Sequence, residues 1–170
     1  TEEWLYQDEN GDFPYAQKLV EIAEFYGFDG YFINQEEYIP SGYVPLFRDM
    51  IKWMVEQGLY IQWYDSIGDG GSISYQNKFN DYNDGWLWNE EDGNVANSIF
   101  LNYWYGSTAL RDSKAHAEAL GLDPYDTVFM GVEGGQWKFG TDIESRYNCV
   151  DENGQPYTSF AIWGSDFYRE

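Results

Sequence analysis

An amide and a carboxylate stand two residues apart in Asn34-Gln35-Glu36-Glu37, directly after the short apolar run Gly30–Ile33. Successive side chains of an extended chain point to opposite faces, so Asn34 and Glu36 share a face and Glu37 points away. A carboxyl placed there can give and take a proton, and an amide beside it can orient a bound group. Other apolar runs end in similar side chains: Trp63-Tyr64-Asp65-Ser66, Asn102-Tyr103-Trp104-Tyr105 and Glu133-Gly134-Gly135. Aromatic faces next to amides and acids suit a sugar, whose C–H face packs on a ring while its hydroxyls need donors and acceptors. Asp65 and Glu133 are candidates for a second carboxylate and also for binding sugar hydroxyls. Tyr64, with its hydroxyl, can contact a bound amide or pack in the core. Tyr75, Gln76 and Asn102 are further candidates for sugar contacts. Of the neighbours Tyr103 and Trp104, one should face inward, and Trp104 is expected to line the cleft.

The whole composition narrows the chemistry. The 170 residues carry 9 Lys and Arg against 30 Asp and Glu, a formal net charge of −21. Such a surface repels phosphate backbones and anionic lipid headgroups, which argues against nucleic-acid or membrane partners. Asp69-Gly70-Gly71 has only Lys78 near it in sequence, a poor phosphate cradle. One Cys, Cys149, leaves no internal disulfide, and one His, His116, leaves no multi-His metal site. His116, amid Ala and Lys, reads as a surface residue. No apolar run reaches the ~18 residues of a membrane span. The start Thr1-Glu2-Glu3 is not a signal peptide, although a mature secreted protein would begin in the same way.

The elements that must hold these residues alternate. Helical periodicity covers Pro14 to Tyr26, Pro45 to Glu56 and Ser107 to Leu120, with Gly27, Gly58 and Gly121 as stops. Strands are expected at Gly30–Ile33, Leu59–Trp63, Ser98–Tyr103, Thr127–Gly131 and Tyr157–Trp163. Short continuous apolar strands between helices predict a parallel sheet covered by helices, an α/β fold whose function collects at the carboxyl ends of the strands. Asp65 to Asn97 has no regular period, and a loop of that length inside a domain is usually functional.

These residues carry a resemblance. YGFDGYFINQE (Tyr26–Glu36) resembles the catalytic strand of glycoside hydrolase family 85, endo-β-N-acetylglucosaminidases that cut the chitobiose core of N-glycans. WYDS (Trp63–Ser66), SYQNKFN (Ser74–Asn80, with Tyr75 where the family usually has Trp), IFLNYWY (Ile99–Tyr105) and DTVFMGVEGG (Asp126–Gly135) resemble its following segments in order. The resemblance implies a (β/α)8 TIM barrel, present here only in part. The five strands correspond to strands four to eight, Thr1–Leu5 to the tail of strand three, and the N-terminal barrel strands are missing from residues 1–170. The missing N-terminal part of the same barrel is then a partner, because an open parallel sheet exposes two edges and an apolar face.

The resemblance further implies hydrolysis of the GlcNAc-β-1,4-GlcNAc bond of N-glycans and N-glycoproteins, with retention and with transglycosylation as a side reaction. The substrate's own 2-acetamido oxygen attacks the anomeric carbon, forming an oxazolinium intermediate. Glu36 is the expected acid and base, and Asn34 and Tyr64 the expected holders of the acetamide. The absence of a second carboxylate from the Asn34–Glu36 motif agrees with this division, while Asp65 and Glu133 keep a two-carboxylate alternative open. No metal or organic cofactor is expected. A non-catalytic carbohydrate-binding domain would use the same aromatic rim, and a chitinase-like pair of Asp29 and Glu36 is disfavoured because Asp29 precedes the strand. A secreted or cell-surface location, in a bacterium, is the expected setting.

Overall fold

The computed structural model describes residues 3–134 and 148–164. Helix α1 spans Pro14–Tyr26. Pro14 opens it, where a missing N–H costs nothing, and Gly27 closes it in the left-handed conformation with its N–H on the Ala23 carbonyl. Ala16, Val20 and Ala23 form the buried face. Strand β1 (Gly30–Ile33) follows, then α2 (Val44–Glu56), which buries Phe47, Met50, Ile51 and Met54, and then β2 (Tyr60–Tyr64).

The stretch after β2 is ordered rather than structureless. It holds a 3-10 turn at Asp84–Trp86 and a small antiparallel ladder of β3 (Trp88–Asn89) and β4 (Gly93–Asn94). Trp86 stacks on Trp63 at 4.0 Å between ring centroids, and the Arg48 guanidinium lies over the Trp86 ring, 5.1 Å from its centroid. This buried stack fastens the segment to β2 and α2, a feature without helical or strand periodicity and hence without a pattern to read.

Strand β5 (Ser98–Leu101), helix α3 (Ala109–Ala119), a single turn α4 (Pro124–Thr127), β6 (Val128–Glu133) and β7 (Ser159–Trp163) complete the chain. The α4 turn, capped by Asp123 through its carboxylate and the Tyr125 N–H, was not anticipated from periodicity because four residues are too few to show any. The five main strands form one parallel sheet in the order β1-β2-β5-β6-β7. It curls into a half-barrel, the expected α/β fold of a partial TIM barrel. Ile61, Trp63, Ile99, Leu101, Val128 and Met130 are buried. Phe32, Tyr64, Phe100 and Trp163 meet ring to ring across strands, with centroids 5.1–5.9 Å apart. Gly131 is required beside Phe100, since a Cβ there would run into the Leu101 carbonyl and the Phe100 ring.

Two expectations concern the ends. Glu3–Leu5 form a turn, and Thr1 and Glu2 lie outside the described residues, as does Gly135. β1 and β7 are the two edges of the sheet among the described residues. Phe25, Tyr26 and Phe28, beside the β1 edge in sequence, are 80%, 66% and 53% exposed and pack on one another.

Candidate active site

The carboxyl ends of β1, β2, β6 and β7 frame an open cleft of about 260 Å³, lined by Phe32, Asn34, Glu36, Tyr64, Tyr103, Glu133 and Trp163. Asn34 and Glu36 leave β1 on the cleft side, and the Asn34 Nδ2 donates to Glu36 Oε2 at 3.2 Å. Ile33, Gln35 and Glu37 instead line a separate, mostly apolar pocket with Leu19 of α1 and Phe47 and Met50 of α2. Strand alternation therefore persists beyond Ile33 and separates the two neighbouring glutamates. The backbone there is held by the buried Ser66, whose hydroxyl donates to the Gln35 carbonyl.

Glu36 is held on its second oxygen as well. The Tyr75 hydroxyl donates to Glu36 Oε1 at 2.8 Å. Tyr64, 7% exposed, sits on the floor and donates its hydroxyl to Asn102 Oδ1 at 2.9 Å. Burial pushes the Tyr64 hydroxyl well above its ordinary range, with the charges of Tyr103 and Glu36 adding to the rise. Tyr64 is therefore a neutral donor and acceptor at any working pH. Burial likewise pushes Tyr103 up to about 12, with Glu133 and Glu36 contributing.

Asn102 does not line the cleft. Its Oδ1 accepts from Tyr64, and its Nδ2 donates to Asn77 Oδ1 at 2.7 Å. Asp65 is not on the cleft either. It is 1% exposed, with Oδ1 accepting from the Gln76 N–H (3.2 Å) and Asn83 Nδ2 (2.8 Å), and Oδ2 from the Asn77 N–H (2.7 Å) and Asn102 N–H (3.4 Å). Burial pushes its carboxyl up to about 7, against the four donors that pull it down. The two-carboxylate alternative loses Asp65 on this ground: both its oxygens are engaged by donors of its own loop and of Asn102, directly after β5, and it does not line the cleft. Gln76 is turned into its own loop, donating to Ser74 and accepting from Asn80 Nδ2. Glu133 lies on the cleft wall.

The Tyr103–Trp104 expectation is reversed. Tyr103 lines the cleft, whereas Trp104 is 71% exposed and does not. The expected strand through Tyr103 ends at Leu101, because the Asn102 N–H turns to Asp65 instead of continuing the ladder. Alternation no longer governs which side chain points inward. Phe32 and Trp163 are cleft residues that were read only as strand residues, since an aromatic residue in a strand gives no sign of which face it takes. Phe32 shares the strand parity of Asn34, which is a local signal, whereas Trp163 is brought to the cleft by its register opposite Glu133. Asp29 precedes β1 and is exposed, away from the cleft lining.

His116 is not a free surface residue. Its Nε2 lies 2.8 Å from Asp84 and its Nδ1 3.4 Å from Asp81, and Ser113 Oγ one turn earlier accepts from the Phe79 N–H at 2.8 Å. Helix α3 thus holds the far side of the loop that carries Tyr75. The residues Asp81, Asp84 and His116 could converge on a metal ion. The two imidazole nitrogens face different carboxylates, one on either side of the ring, rather than one shared position.

Comparison with known proteins bears on this arrangement. The model for "Glycosyl hydrolase family 85" matches residues 1–170. A cytosolic endo-beta-N-acetylglucosaminidase of Mus musculus is 35% identical over 155 residues, 88% of this chain and 18% of that protein. Cytosolic endo-beta-N-acetylglucosaminidase 1 of Arabidopsis thaliana is 31% identical over 138 residues, 72% of this chain and 19% of that protein. The crystal structure of the glycoside hydrolase domain of Endo-D from Streptococcus pneumoniae R6 superposes with a TM-score of 0.82 at 30% identity, covering 98% of this chain and 27% of that one. The chain thus spans about a fifth of the length of the curated relatives it matches. The expectation of a secreted or cell-surface location is overturned, because the curated relatives from plant, fish, bird and mammal are all cytosolic by name. With the family model matched from end to end and the half-barrel shared with a solved relative, this chain belongs to glycosyl hydrolase family 85.

Proposed function

We propose that this chain supplies the catalytic half of an endo-β-N-acetylglucosaminidase barrel, which hydrolyses the GlcNAc-β-1,4-GlcNAc bond of N-glycans and N-glycoproteins. The observation that carries the reading is the pairing of Asn34 with Glu36 at 3.2 Å at the mouth of an aromatic-floored cleft. The named relatives are endo-beta-N-acetylglucosaminidases, which supports the substrate class. The remaining barrel strands come from outside residues 1–170.

In the proposed reaction Glu36 protonates the leaving glycosidic oxygen. The substrate's acetamide oxygen attacks the anomeric carbon, and Asn34 and Tyr64 hold that acetamide through their amide and hydroxyl. Glu36 then takes a proton from the incoming water, so the configuration is retained. An acceptor hydroxyl, such as that of a sugar, in place of water gives transglycosylation. Tyr64 suits its role because it stays protonated and is itself oriented by Asn102. One enzymic carboxylate serves both steps, and no metal or organic cofactor enters the scheme. Glu133 and Tyr103 form the wall that contacts sugar hydroxyls and rings.

Incubation of the complete protein with an N-glycoprotein, followed by mass analysis, tests this reading. Release of the glycan with one GlcNAc left on each Asn is the expected result. An unchanged glycoprotein mass with retained glycan binding would instead identify a carbohydrate-binding domain.

A further inference from the structure

The Tyr75 hydroxyl touches neither the floor nor the wall of the cleft but the carboxylate of Glu36. We propose that Tyr75 is a positioning residue for the acid, which occupies Glu36 Oε1 and leaves Oε2, on the Asn34 side, as the oxygen that carries the proton delivered to the leaving group. This inference rests on the reading of Glu36 as the proton donor.

Three observations support it. The contacts are divided, with Tyr75 on Oε1 at 2.8 Å and Asn34 on Oε2 at 3.2 Å, so the plane of the carboxyl is fixed from both sides. A carboxyl whose oxygens are both held cannot rotate to offer the wrong one, and positioning of this kind acts directly on the rate of proton transfer. Tyr75 also keeps its own proton, because burial and the hydrogen bond to Glu36 push its hydroxyl up to about 12. It therefore remains a donor to Oε1, and because its contact is shorter than that of Asn34 to Oε2 (2.8 against 3.2 Å), a proton on the carboxyl is favoured on Oε2.

The third observation is how Tyr75 is placed. The next two residues donate their N–H groups to the buried Asp65, and Asn77 takes a positive φ of 55° to do so. The Tyr75 ring packs edge-on to Tyr64, with centroids 6.1 Å apart. The loop is thus bent onto Glu36 by a buried carboxyl group at its base. Its placement does not depend on a bound sugar.

Because Tyr75 acts through the acid, its loss should be felt only where a leaving group needs a proton. The test compares kcat/KM on the natural GlcNAc-GlcNAc bond with kcat/KM on a nitrophenyl glycoside of the same glycan, whose phenolate leaves without one. The complete protein is used, as wild type, Tyr75→Phe, Tyr75→Trp and Glu36→Gln. Tyr75→Phe should lose about tenfold on the natural bond, the effect of one partly exposed hydrogen bond to a charged oxygen, and stay within about twofold of wild type on the nitrophenyl glycoside. The retained nitrophenyl activity also shows that the variant is folded. Tyr75→Trp restores an N–H donor and should recover most of the loss. An equal loss on both substrates would make Tyr75 a sugar contact and overturn the proposal, as would no loss on either. If Glu36→Gln is inactive on the natural bond while Tyr75→Phe is unaffected, only the positioning role fails. If Glu36→Gln cleaves the natural bond normally, the reading of Glu36 fails and the role of Tyr75 with it.

Discussion

Glu36 and Glu37 are adjacent, identical in type and both exposed, yet they face different pockets. Replacing Glu36 by Gln keeps its size and removes both proton-transfer steps, so kcat should fall by at least about 10²–10⁴-fold. Glu37→Gln should leave kcat within about twofold, since its side chain lies on the helix side of β1 and takes no part in general acid–base catalysis. Parallel assays of the two variants check this, and similar losses in both would reject the strand-parity argument. Asn34 is separated from Glu36 by a different substrate. Asn34→Gln moves the amide by one methylene, and a displacement of about 1 Å can cost ~10²-fold in positioning. Hydrolysis of the glycan should nearly stop because the oxazoline forms slowly. A preformed sugar oxazoline bypasses that step, so transfer to a GlcNAc acceptor should continue and its product should accumulate. Loss of both activities in a folded variant would show that Asn34 does not orient the acetamide. The Asn34–Glu36 pair was legible because a period of two relates residues that are near in sequence. Tyr103 over Trp104 was not, because its orientation follows from a hydrogen bond between Asn102 and Asp65, residues 37 apart.

At the scale of elements, the segment between β2 and β5 does most of the positioning. Asp65 gathers it from below, Trp86 and Arg48 fix it against α2, and α3 holds its outer side through Ser113 and His116. Asp65→Asn should show how far the site depends on this. In either amide orientation one NH₂ replaces an oxygen that accepts two hydrogen bonds, which leaves two buried donors without acceptors. A loss of about 2–4 kcal/mol at neutral pH is expected from two such orphaned groups, read as a lower urea midpoint. Activity should fall too, although Asp65 touches no substrate, because Tyr75 and Asn102 lose their backbone anchor. A variant with full stability and full activity would reduce Asp65 to a bystander. The helices and main strands around this segment were readable from apolar periodicity to within a residue or two. The segment itself had no period, since its order comes from side chains reaching across the fold.

For the whole molecule, the acidic charge and the burial of particular acids predict how stability changes with pH. Burial raises Asp65 to about 7 and Asp69 to about 6 from an ordinary value of 3.8, the latter despite its Arg48 partner. Folded pKa values above the unfolded ones mean that the folded state holds these protons more tightly. Their stabilising contribution is complete below the unfolded value and is lost as pH rises through the folded values. The urea midpoint should therefore decline between about pH 4 and 7, in the same direction as the growing self-repulsion of a chain rich in carboxylates. A midpoint that rises steadily over that interval would contradict the burial argument. Asp8, Asp112 and Asp151 are lowered by hydrogen bonds and act in the opposite sense, but only below the ordinary carboxylate range.

Local chemistry along the chain settles whatever depends on near neighbours. The alternation of helix and short apolar strand implied a parallel sheet, and the motifs at successive strand ends marked the functional rim and the family. The pleat placed Asn34 with Glu36. Each of these depends on neighbours within a few residues or on an order of motifs along the chain. Tertiary structure alone decided that Asp65 is a buried brace rather than a second catalytic carboxylate, that Asn102 serves Tyr64 rather than the sugar, and that Tyr75 reaches Glu36 from 39 residues away. The physical reason is the same in all three. A polar side chain takes its role from the partners that satisfy it, and here those partners come from other strands and from a loop with no periodicity of its own.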